Sequence, residues 1–253
     1  MSSGSAGKMR QVVEMLGRKP GLRAPFFAAG FFTVRLAWPL QYLLLRDLID
    51  CRSVLDLGCG RHSMVPIIPK SIHTTGVELF REHFEEAERS GRHNCYIHAD
   101  VTQVEFEDRS FDAVVLLDVL EHLDKEAGER MLAKMERWAR KKIIIFTPNG
   151  FVHQEEFANN PLMVHKSGWT APELRAKGYR VRGIRGFKQL KSDHVHIHEH
   201  DDDHVHGETR ESLADRLTDL TQIWTYHFPE NAFQLYAVKT VEPVKDLEKN
   251  PRS

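Results

Sequence analysis

The 253-residue chain carries 35 Lys plus Arg against 36 Asp plus Glu, and 41% of its residues are hydrophobic. A chain of this length and composition can bury one large α/β core. Its near-zero net charge produces no field over the whole surface that would gather nucleic acid or an anionic membrane. The composition therefore excludes a protein that binds such a partner through overall charge, and any contact of that kind requires a local patch.

The cysteines and the start of the chain indicate a cytoplasmic location. Cys51, Cys59 and Cys95 are odd in number and lack metal-knuckle spacing, which argues against a disulfide framework. The Ser/Gly-rich Met1–Gly7 lacks a charged region that leads into an apolar run, so it predicts a leader rather than a signal peptide. Charges and a proline interrupt the apolar stretch Leu22–Ile49, which predicts a helical cap rather than a membrane span. Contact with a membrane surface is not favoured either.

From residue 53 onward, short apolar runs alternate with helix-like segments, a pattern typical of a parallel sheet covered on both faces. Apolar residues recur at intervals of three or four from Leu120 to Trp138 and predict a crossover helix. The runs that predict the first five strands are Val54–Leu57, Thr74–Val77, Cys95–His98, Phe111–Leu117 and Ile143–Phe146.

The second half of the chain supplies two more strands and an insertion. Thr170–Glu173 has the spacing of a capping box and predicts a short helix that ends at about Lys177. Tyr179–Ile184 and Phe233–Lys239 bring the predicted strands to seven. Between these two strands lies an insertion at about 190–228, with a His/Asp-rich segment and a helix-like stretch, Ser212–Tyr226.

A glycine-containing loop follows the first predicted strand. Val54–Gly60 reads Val-Leu-Asp-Leu-Gly-Cys-Gly, and its glycines, Gly58 and Gly60, allow the backbone to approach a ligand closely. A loop of this kind is a weak signal by itself, because it also opens dinucleotide sites. Ser63 takes the place of the third glycine of the dinucleotide fingerprint, which counts against NAD.

Acidic residues follow the next two strands in an order that favours an adenosine ligand. Glu78 stands twenty residues after Gly58, the spacing at which a carboxylate accepts hydrogen bonds from ribose hydroxyls. Asp100 is placed to accept from an adenine amino group, and the backbone N–H of Val101 to donate to a ring nitrogen. Each residue alone is also an ordinary strand-end residue, but their order on consecutive strand ends predicts a site.

Four segments together resemble successive motifs of the class I S-adenosylmethionine (SAM) dependent methyltransferases: Val54–Gly60, Gly76–Glu78, Ala99–Asp100 and Phe111–Leu123. The resemblance covers about Leu48–Lys239. It implies an α/β, doubly wound, seven-stranded and mostly parallel sheet whose last strand is antiparallel, with SAM over the strand carboxyl ends. By motif position, it implies that the SAM methionine lies near Asp56, Gly58, Gly60 and Asp118, the ribose at Glu78 and the adenine at Asp100.

Candidates for acid–base or metal chemistry follow the fourth and fifth strands. They are Glu121, His122 and His165, with His153 as a further candidate base. The string from Asp118 to His122, with the later His165, resembles the small-RNA terminal 2′-O-methyltransferases, which hold a divalent ion, and the ubiquinone-pathway O-methyltransferases. Such side chains would bind Mg²⁺, Mn²⁺ or Zn²⁺ and lower the pKa of an acceptor hydroxyl. In the alternative interpretation, His122 caps the crossover helix and His165 borders the pocket.

Two further polar stretches have ordinary explanations beside functional ones. His194–His206 holds six histidines, and such tracts often bind metal, but an exposed loop shows the same alternation. The basic run from Arg175 to Lys191 suits a phosphorylated acceptor or nucleic acid. A solvated face explains it as well, and no aromatic residues interleave it for stacking, so a nucleic-acid partner is not favoured.

The sequence therefore predicts a SAM-dependent methyltransferase domain at 48–240, with a leader and helical cap at 1–47 and a tail at 241–253. We expect a small-molecule or lipid-like acceptor, methylated at oxygen, in a pocket lined by Trp169, Phe151 and Phe26–Trp38. Three alternatives stay open: a metal-assisted RNA 2′-O-methyltransferase, a nucleotide-dependent oxidoreductase and a non-catalytic SAM-binding protein. The acceptor does not follow from the sequence, because insertions select it, and the oligomeric state is equally open.

Overall fold

A computed structural model describes residues 39–154, 160–190 and 221–242, and it contains one seven-stranded sheet. The strand order is β3-β2-β1-β4-β5-β7-β6. β7 runs antiparallel to both β5 and β6, and the other pairs are parallel, which confirms the predicted sheet. The strands are β1 (Ser53–Leu57), β2 (His73–Glu78), β3 (Cys95–His98), β4 (Phe111–Leu117), β5 (Ala139–Pro148), β6 (Arg180–Phe187) and β7 (Ala232–Thr240).

Helices cover both faces of this sheet. Residues 221–227 are also helical and pack beside β6, where Gln222 and Thr225 are buried. The predicted capping box is present, because the Thr170 side chain and the Glu173 side chain each bond the other's backbone N–H. The other α-helices of the described residues are α1 (Pro39–Leu48), α2 (Arg81–Ser90), α3 (Lys125–Trp138) and α4 (Ala171–Ala176).

The core consists of two apolar layers, one on each face of the sheet. On one face, α3 packs against β4 and β5, and α4 packs against β6, through buried residues that include Trp138 and Leu174. On the other, α1 packs against β4, β5 and β7 through residues such as Leu44 and Tyr236. The central strands are buried on both faces because helices cover both, which explains their nearly continuous apolar sequence.

Two predicted element bounds differ from the structure by four or five residues. β5 begins at Ala139 rather than at Ile143, because the charged residues before Ile143 also belong to the strand. Their side chains form ion pairs, and Nζ of Lys141, for example, lies 3.1 Å from Oδ2 of Asp112. The crossover helix α3 begins at Lys125, and Leu120 belongs to a separate 3₁₀ turn.

The interpretation of His122 as the cap of this helix is wrong. Asp124 caps α3, since its side chain accepts a 2.8 Å hydrogen bond from the backbone N–H of Ala127. His122 lies in the 3₁₀ turn Leu120–His122, where its ring bonds to the carbonyl of Val164 instead. Its side chain is therefore available to the site described below.

Several predicted features lie outside the described residues: the leader Met1–Gly7, the aromatic stretch Phe26–Trp38 and the tract His194–His206. Of the predicted helix Ser212–Tyr226, only the part from residue 221 is described. In the described ranges, no helix is both long enough and apolar enough to cross a membrane.

Candidate active site

A cleft opens at the carboxyl ends of β1, β4 and β5, where parallel strands of such sheets bind ligands. Its apolar lining comes from Leu40, Met64, Leu117, Phe146 and Met163. The other residues that line it are Asp56, Gly58, Cys59, His62, Ser63, Asp118, Glu121, His122, Gln154, His165 and Arg185.

The glycine loop after β1 forms one wall of the cleft. Gly58 and Gly60 both adopt left-handed backbone conformations, with φ of 70° and 55°. A Cβ atom on Gly58 would lie 2.4 Å from Cγ2 of Val119, so only glycine fits at this position. The Asp56 carboxylate accepts a hydrogen bond from the Ser63 hydroxyl and thereby fixes the loop that follows.

Glu78 ties the ends of β1 and β2 together. Its two carboxylate oxygens accept hydrogen bonds from the backbone N–H groups of Gly60, at 2.9 Å, and of Phe80, at 2.8 Å. Burial raises the pKa of Glu78, and these two N–H groups act in the opposite direction. A carboxylate oxygen that accepts one hydrogen bond retains a second lone pair, so the residue still has capacity for ribose hydroxyls. Its ribose role stays a prediction.

The predicted adenine residues lie at the end of β3, outside the cleft lining. Oδ1 of Asp100 accepts hydrogen bonds from the backbone N–H of Thr102, at 2.7 Å, and from its hydroxyl, at 2.8 Å. Val101 is buried against the core layer of α3 and α4. Both residues follow β3 as predicted, and their contacts with an adenine ring stay a prediction.

Asp118 begins the turn after β4 in a left-handed conformation, with φ of 51°. Its backbone N–H donates to the carbonyl of Phe146, at 2.8 Å, and thereby joins the ends of β4 and β5. Its Oδ1 accepts a 3.3 Å hydrogen bond from Nε2 of Gln234, a fully buried residue of β7. The residue therefore lies at the centre of the cleft floor, where the resemblance places the methionine end of SAM.

Glu121, His122 and His165 form a compact cluster at the deep end of the cleft. One ligand atom from each residue lies within 4.8 Å of the other two. The cluster is possible because the loop that carries His165 is attached to the turn after β4: the backbone N–H groups of Lys166 and Ser167 donate to the Glu121 carbonyl, at 2.8 and 3.0 Å. The structure thus brings together the three residues that the sequence singled out.

The two histidines of the cluster share one tautomer. Nδ1 of His122 lies 3.2 Å from the carbonyl oxygen of Val164, and Nδ1 of His165 lies 2.7 Å from that of Val152. A carbonyl oxygen only accepts, so each Nδ1 carries the proton and each Nε2 keeps a free lone pair. Burial lowers the pKa of His122 to about 4 and also lowers that of His165, so both rings are neutral at pH 7.

Glu121 is the acid of this cluster and is almost fully buried. Burial and the charge of Asp118 raise its pKa well above the ordinary value. Its Oε2 accepts a 2.9 Å hydrogen bond from the Thr147 hydroxyl, whereas Oε1 has no hydrogen-bond partner among the described residues. A buried oxygen without a partner is costly and suggests a group that is bound there in the working protein.

Two predicted pocket residues lie elsewhere. Trp169 is fully buried in the core layer of α3, where its Nε1 donates to the Ser167 hydroxyl, because its indole packs against Gly128 of that helix. Phe151 is exposed and does not contribute to the cleft. His153, the further candidate base, is also exposed and outside the lining.

Arg185 and Gln154 line the cleft, although neither is predicted from the sequence as a cleft residue; Arg185 belongs only to the predicted basic run. A signal for Arg185 was present, because Gly183 and Gly186 flank it inside a predicted strand and isolated glycines there often mark a bulge. For Gln154 no sequence signal exists, since its position depends on the course of the loop after β5.

A family model matches the central part of the chain. Residues 55–146 match the family model described as a methyltransferase domain. The match runs from β1 into β5, so it includes the glycine loop and Glu121 but not His165. No curated protein matches the chain significantly.

Solved structures similar to the chain include three with 18–21% sequence identity. A SAM-dependent methyltransferase from Archaeoglobus fulgidus is 18% identical with a TM-score of 0.49, over 83% of this chain and 99% of that one. Magnesium protoporphyrin IX methyltransferase from Synechocystis PCC 6803, with bound SAM, is 18% identical with a TM-score of 0.42, over 70% and 82%. A protein from Pyrococcus horikoshii OT3 is 21% identical with a TM-score of 0.39; there the match spans 51% of this chain and 57% of that one.

Proposed function

We propose that this chain is a class I, SAM-dependent methyltransferase and that it methylates an oxygen of a small-molecule or lipid-like acceptor with the help of a divalent cation. The observation that carries the proposal is that Glu121, His122 and His165 line the same cleft as the glycine loop. Groups suited to activate a hydroxyl therefore face the end of the cofactor site at which the methyl group is transferred.

The residues present fit a divalent cation. The cluster offers one carboxylate oxygen without a hydrogen-bond partner, Oε1 of Glu121, and the free Nε2 atoms of two neutral histidines. Nitrogen and oxygen donors of this kind suit Zn²⁺ or Mn²⁺. The backbone carbonyls that hold each Nδ1 are the outer partners that orient histidine ligands in metal sites.

The residues present also fit SAM. The glycine loop follows β1 with two left-handed glycines, and the carboxylates of Asp56 and Asp118 line the same cleft, which suits a positively charged ligand. Glu78 lies outside the cleft lining, but it accepts hydrogen bonds from the backbone N–H groups of Gly60, in this loop, and of Phe80. We assign the methionine part to Asp56, Gly58 and Asp118, and the ribose to Glu78.

Methyl transfer asks little of the protein beyond positioning. SAM supplies an activated methyl group on a sulfonium, and a cation held by the cluster lowers the pKa of an acceptor hydroxyl. Glu121, His122 and His165 would hold the cation and so position the acceptor oxygen, and the proton of the acidified hydroxyl would leave to water in the open cleft. A nitrogen acceptor with a free lone pair needs no such proton transfer, and for this reason we favour oxygen.

The apolar part of the cleft supports a small or lipid-like acceptor. Leu40, Met64 and Phe146 belong to or pack against the core layer of α1, and they continue into the cleft beside Met163. Such a wall binds apolar or aromatic groups through burial of their surface.

We place the protein in the cytoplasm, because its three cysteines are free thiols in the structure, as is usual in reducing compartments.

An assay of methyl transfer to a panel of phenols, catechols and hydroxylated lipids tests this proposal. The rate at which S-adenosylhomocysteine forms measures the activity. We expect activity that EDTA abolishes and that Mn²⁺, Mg²⁺ or Zn²⁺ restores. His165→Ala is expected to lower turnover by about 10²- to 10⁴-fold, the usual contribution of a positioned base or metal, with SAM affinity changed by less than about threefold.

His73→Ala is the matched control, since His73 is exposed at the start of β2, at the opposite end of the sheet. It is expected to leave turnover unchanged. Activity that is indifferent to EDTA and to His165→Ala would contradict the role of the cluster. Transfer to nitrogen acceptors alone would contradict the assignment of oxygen.

A further inference from the structure

Arg185 lies on a β-bulge at the carboxyl end of β6. Ile184 pairs with Gln234 of β7 and Phe187 pairs with Ala232, so Arg185 and Gly186 together oppose a single residue. Bulges of this kind change the direction in which a side chain points, and they occur next to active sites more often than elsewhere. The bulge brings Arg185 to the lining of the cleft.

The backbone at this bulge is strained. Both Arg185 and Gly186 have positive φ, 65° and 67°. Glycine tolerates this conformation, but arginine does so at a cost, and such strain persists only where the surrounding structure holds it. An outlier of this kind at a cleft is grounds for seeking a function of the side chain.

A buried side chain holds the bulge in place. Gln222, from the helical segment 221–227, donates through Nε2 to the carbonyl of Gly183, at 3.1 Å, and accepts at Oε1 from the N–H of Gly186, at 3.3 Å. It therefore satisfies the backbone groups on either side of Arg185. On the facing strand, Gln234 donates to Asp118 on the cleft floor, so the bulge is connected directly to the site.

Arg185 brings a guanidinium group to the cleft lining. Within the described parts of the chain, no hydrogen bond or ion pair engages its exposed guanidinium. A guanidinium offers five N–H donors in a planar fork, which matches the oxygens of a phosphate or a carboxylate.

We infer that Arg185 binds an anionic oxygen group of the acceptor, a phosphate or a carboxylate, at the mouth of the cleft. This assignment deepens the proposed function and rests on it for its biological role: the acceptor would carry its reactive hydroxyl toward the cluster of Glu121, His122 and His165 and its anionic group toward Arg185. Apolar atoms between the two groups would contact the apolar wall. A neutral acceptor of the same shape would bind more weakly.

Calorimetric titration with inorganic phosphate, and separately with acetate, tests the inference at constant ionic strength with S-adenosylhomocysteine present. We expect the wild-type protein to bind at least one of the two anions, and the preferred one identifies the group. Arg185→Gln is expected to weaken that binding by roughly ten- to a hundredfold, since a charge-assisted hydrogen bond is lost. Arg185→Lys keeps the charge but not the planar fork of donors, so its affinity for the anion is expected to lie between those of the wild type and Arg185→Gln.

Arg92→Gln is the matched control, because Arg92 is an exposed arginine before β3, at the opposite end of the sheet, and its loss changes the net charge equally. It is expected to bind the anion as the wild type does. Equal affinities of the wild type and Arg185→Gln, or no binding of either anion to the wild type, would overturn the inference. Binding of S-adenosylhomocysteine is measured on the same samples. A wild-type protein that does not bind S-adenosylhomocysteine would contradict the proposed methyl transfer rather than the role of Arg185.

Discussion

The imidazole rings of His122 and His165 lie edge to face, with centroids 4.9 Å apart and planes inclined by 62°. They come from loops after different strands, and two backbone carbonyls hold their Nδ1 atoms so that both Nε2 atoms are free. Burial and the neighbouring His165 ring lower the pKa of His122 to about 4, so the His122 ring is neutral at pH 7. Neutral rings bind a metal without first losing a proton, so this pair is prepared for a cation at pH 7.

Glu78→Ala tests the assignment of the ribose site. The substitution removes a charged acceptor at the end of β2, and we expect it to weaken S-adenosylhomocysteine binding by about 1–3 kcal/mol. Calorimetry measures the effect. Glu82→Ala is the control, because Glu82 is an exposed carboxylate in the first turn of α2. An unchanged affinity in Glu78→Ala would show that the ribose binds elsewhere.

Gly128→Ala tests the packing between α3 and the loop that carries the cluster. Helix propensity alone predicts a gain of about 1 kcal/mol from this change in a helix interior. A Cβ atom at Gly128, however, would lie 2.6 Å from Cζ2 of Trp169, whose ring is fully buried and has no space to move. We therefore expect a loss of about 1–3 kcal/mol in the free energy of unfolding, measured by urea denaturation.

Ala133→Gly, at an exposed position of the same helix, isolates the propensity term and is expected to cost about 1 kcal/mol. If Gly128→Ala proves more stable than the wild type, the contact between α3 and Trp169 is looser than the structure shows.

Asp112→Asn tests a charged anchor at the amino end of the sheet. Burial alone would raise the pKa of Asp112. The backbone N–H of Arg52 and Nζ of Lys141 lie 2.7 and 3.1 Å from its Oδ2, and their combined effect is larger, so the pKa is lowered. Because the pKa of Asp112 is lower in the folded than in the unfolded state, its charge stabilises the protein at pH values above the unfolded-state pKa. This contribution disappears as the pH falls through the folded-state pKa.

We expect Asp112→Asn to lower the free energy of unfolding by about 1–2 kcal/mol at pH 7, and by progressively less below about pH 4. Denaturant titrations over this pH range measure the difference. Asp108→Asn, an exposed partner of Arg137 at 3.2 Å, should cost less than about 1 kcal/mol. A loss at Asp112 that does not change with pH would argue against a role of its charge.

Arg185→Asn tests whether the bulge is strained. Asparagine adopts the left-handed conformation more readily than arginine, so the variant should be as stable as the wild type, or more stable by up to about 1 kcal/mol. Arg182→Asn is the control on the same strand, where φ is not positive, and it should be destabilised because it loses the contact with the Tyr226 ring, 5.1 Å away. Equal losses in thermal denaturation of both variants would contradict the strain.

The sequence predicted the sheet well because each central strand is buried on both faces and reads as an apolar run. It also predicted the cluster, since Glu121 and His165 follow strands whose carboxyl ends lie at one edge of the sheet. The direction of individual side chains was less accessible: Trp169 looks like an exposed pocket aromatic until its contact with Gly128 is known. The bulge at Arg185 depends on its register with β7 and on Gln222, which no local pattern fixes.

Titration of Mn²⁺ into the protein, in the presence of S-adenosylhomocysteine, tests the central claim most directly. We expect one Mn²⁺ site in the wild type, observed by calorimetry and by loss of the free-ion electron paramagnetic resonance signal. His165→Ala and Glu121→Gln should each weaken Mn²⁺ binding by at least about tenfold, whereas His73→Ala should bind as the wild type does. Mn²⁺ binding that is equally strong in all four proteins, or absent from the wild type, would contradict a metal site at Glu121, His122 and His165.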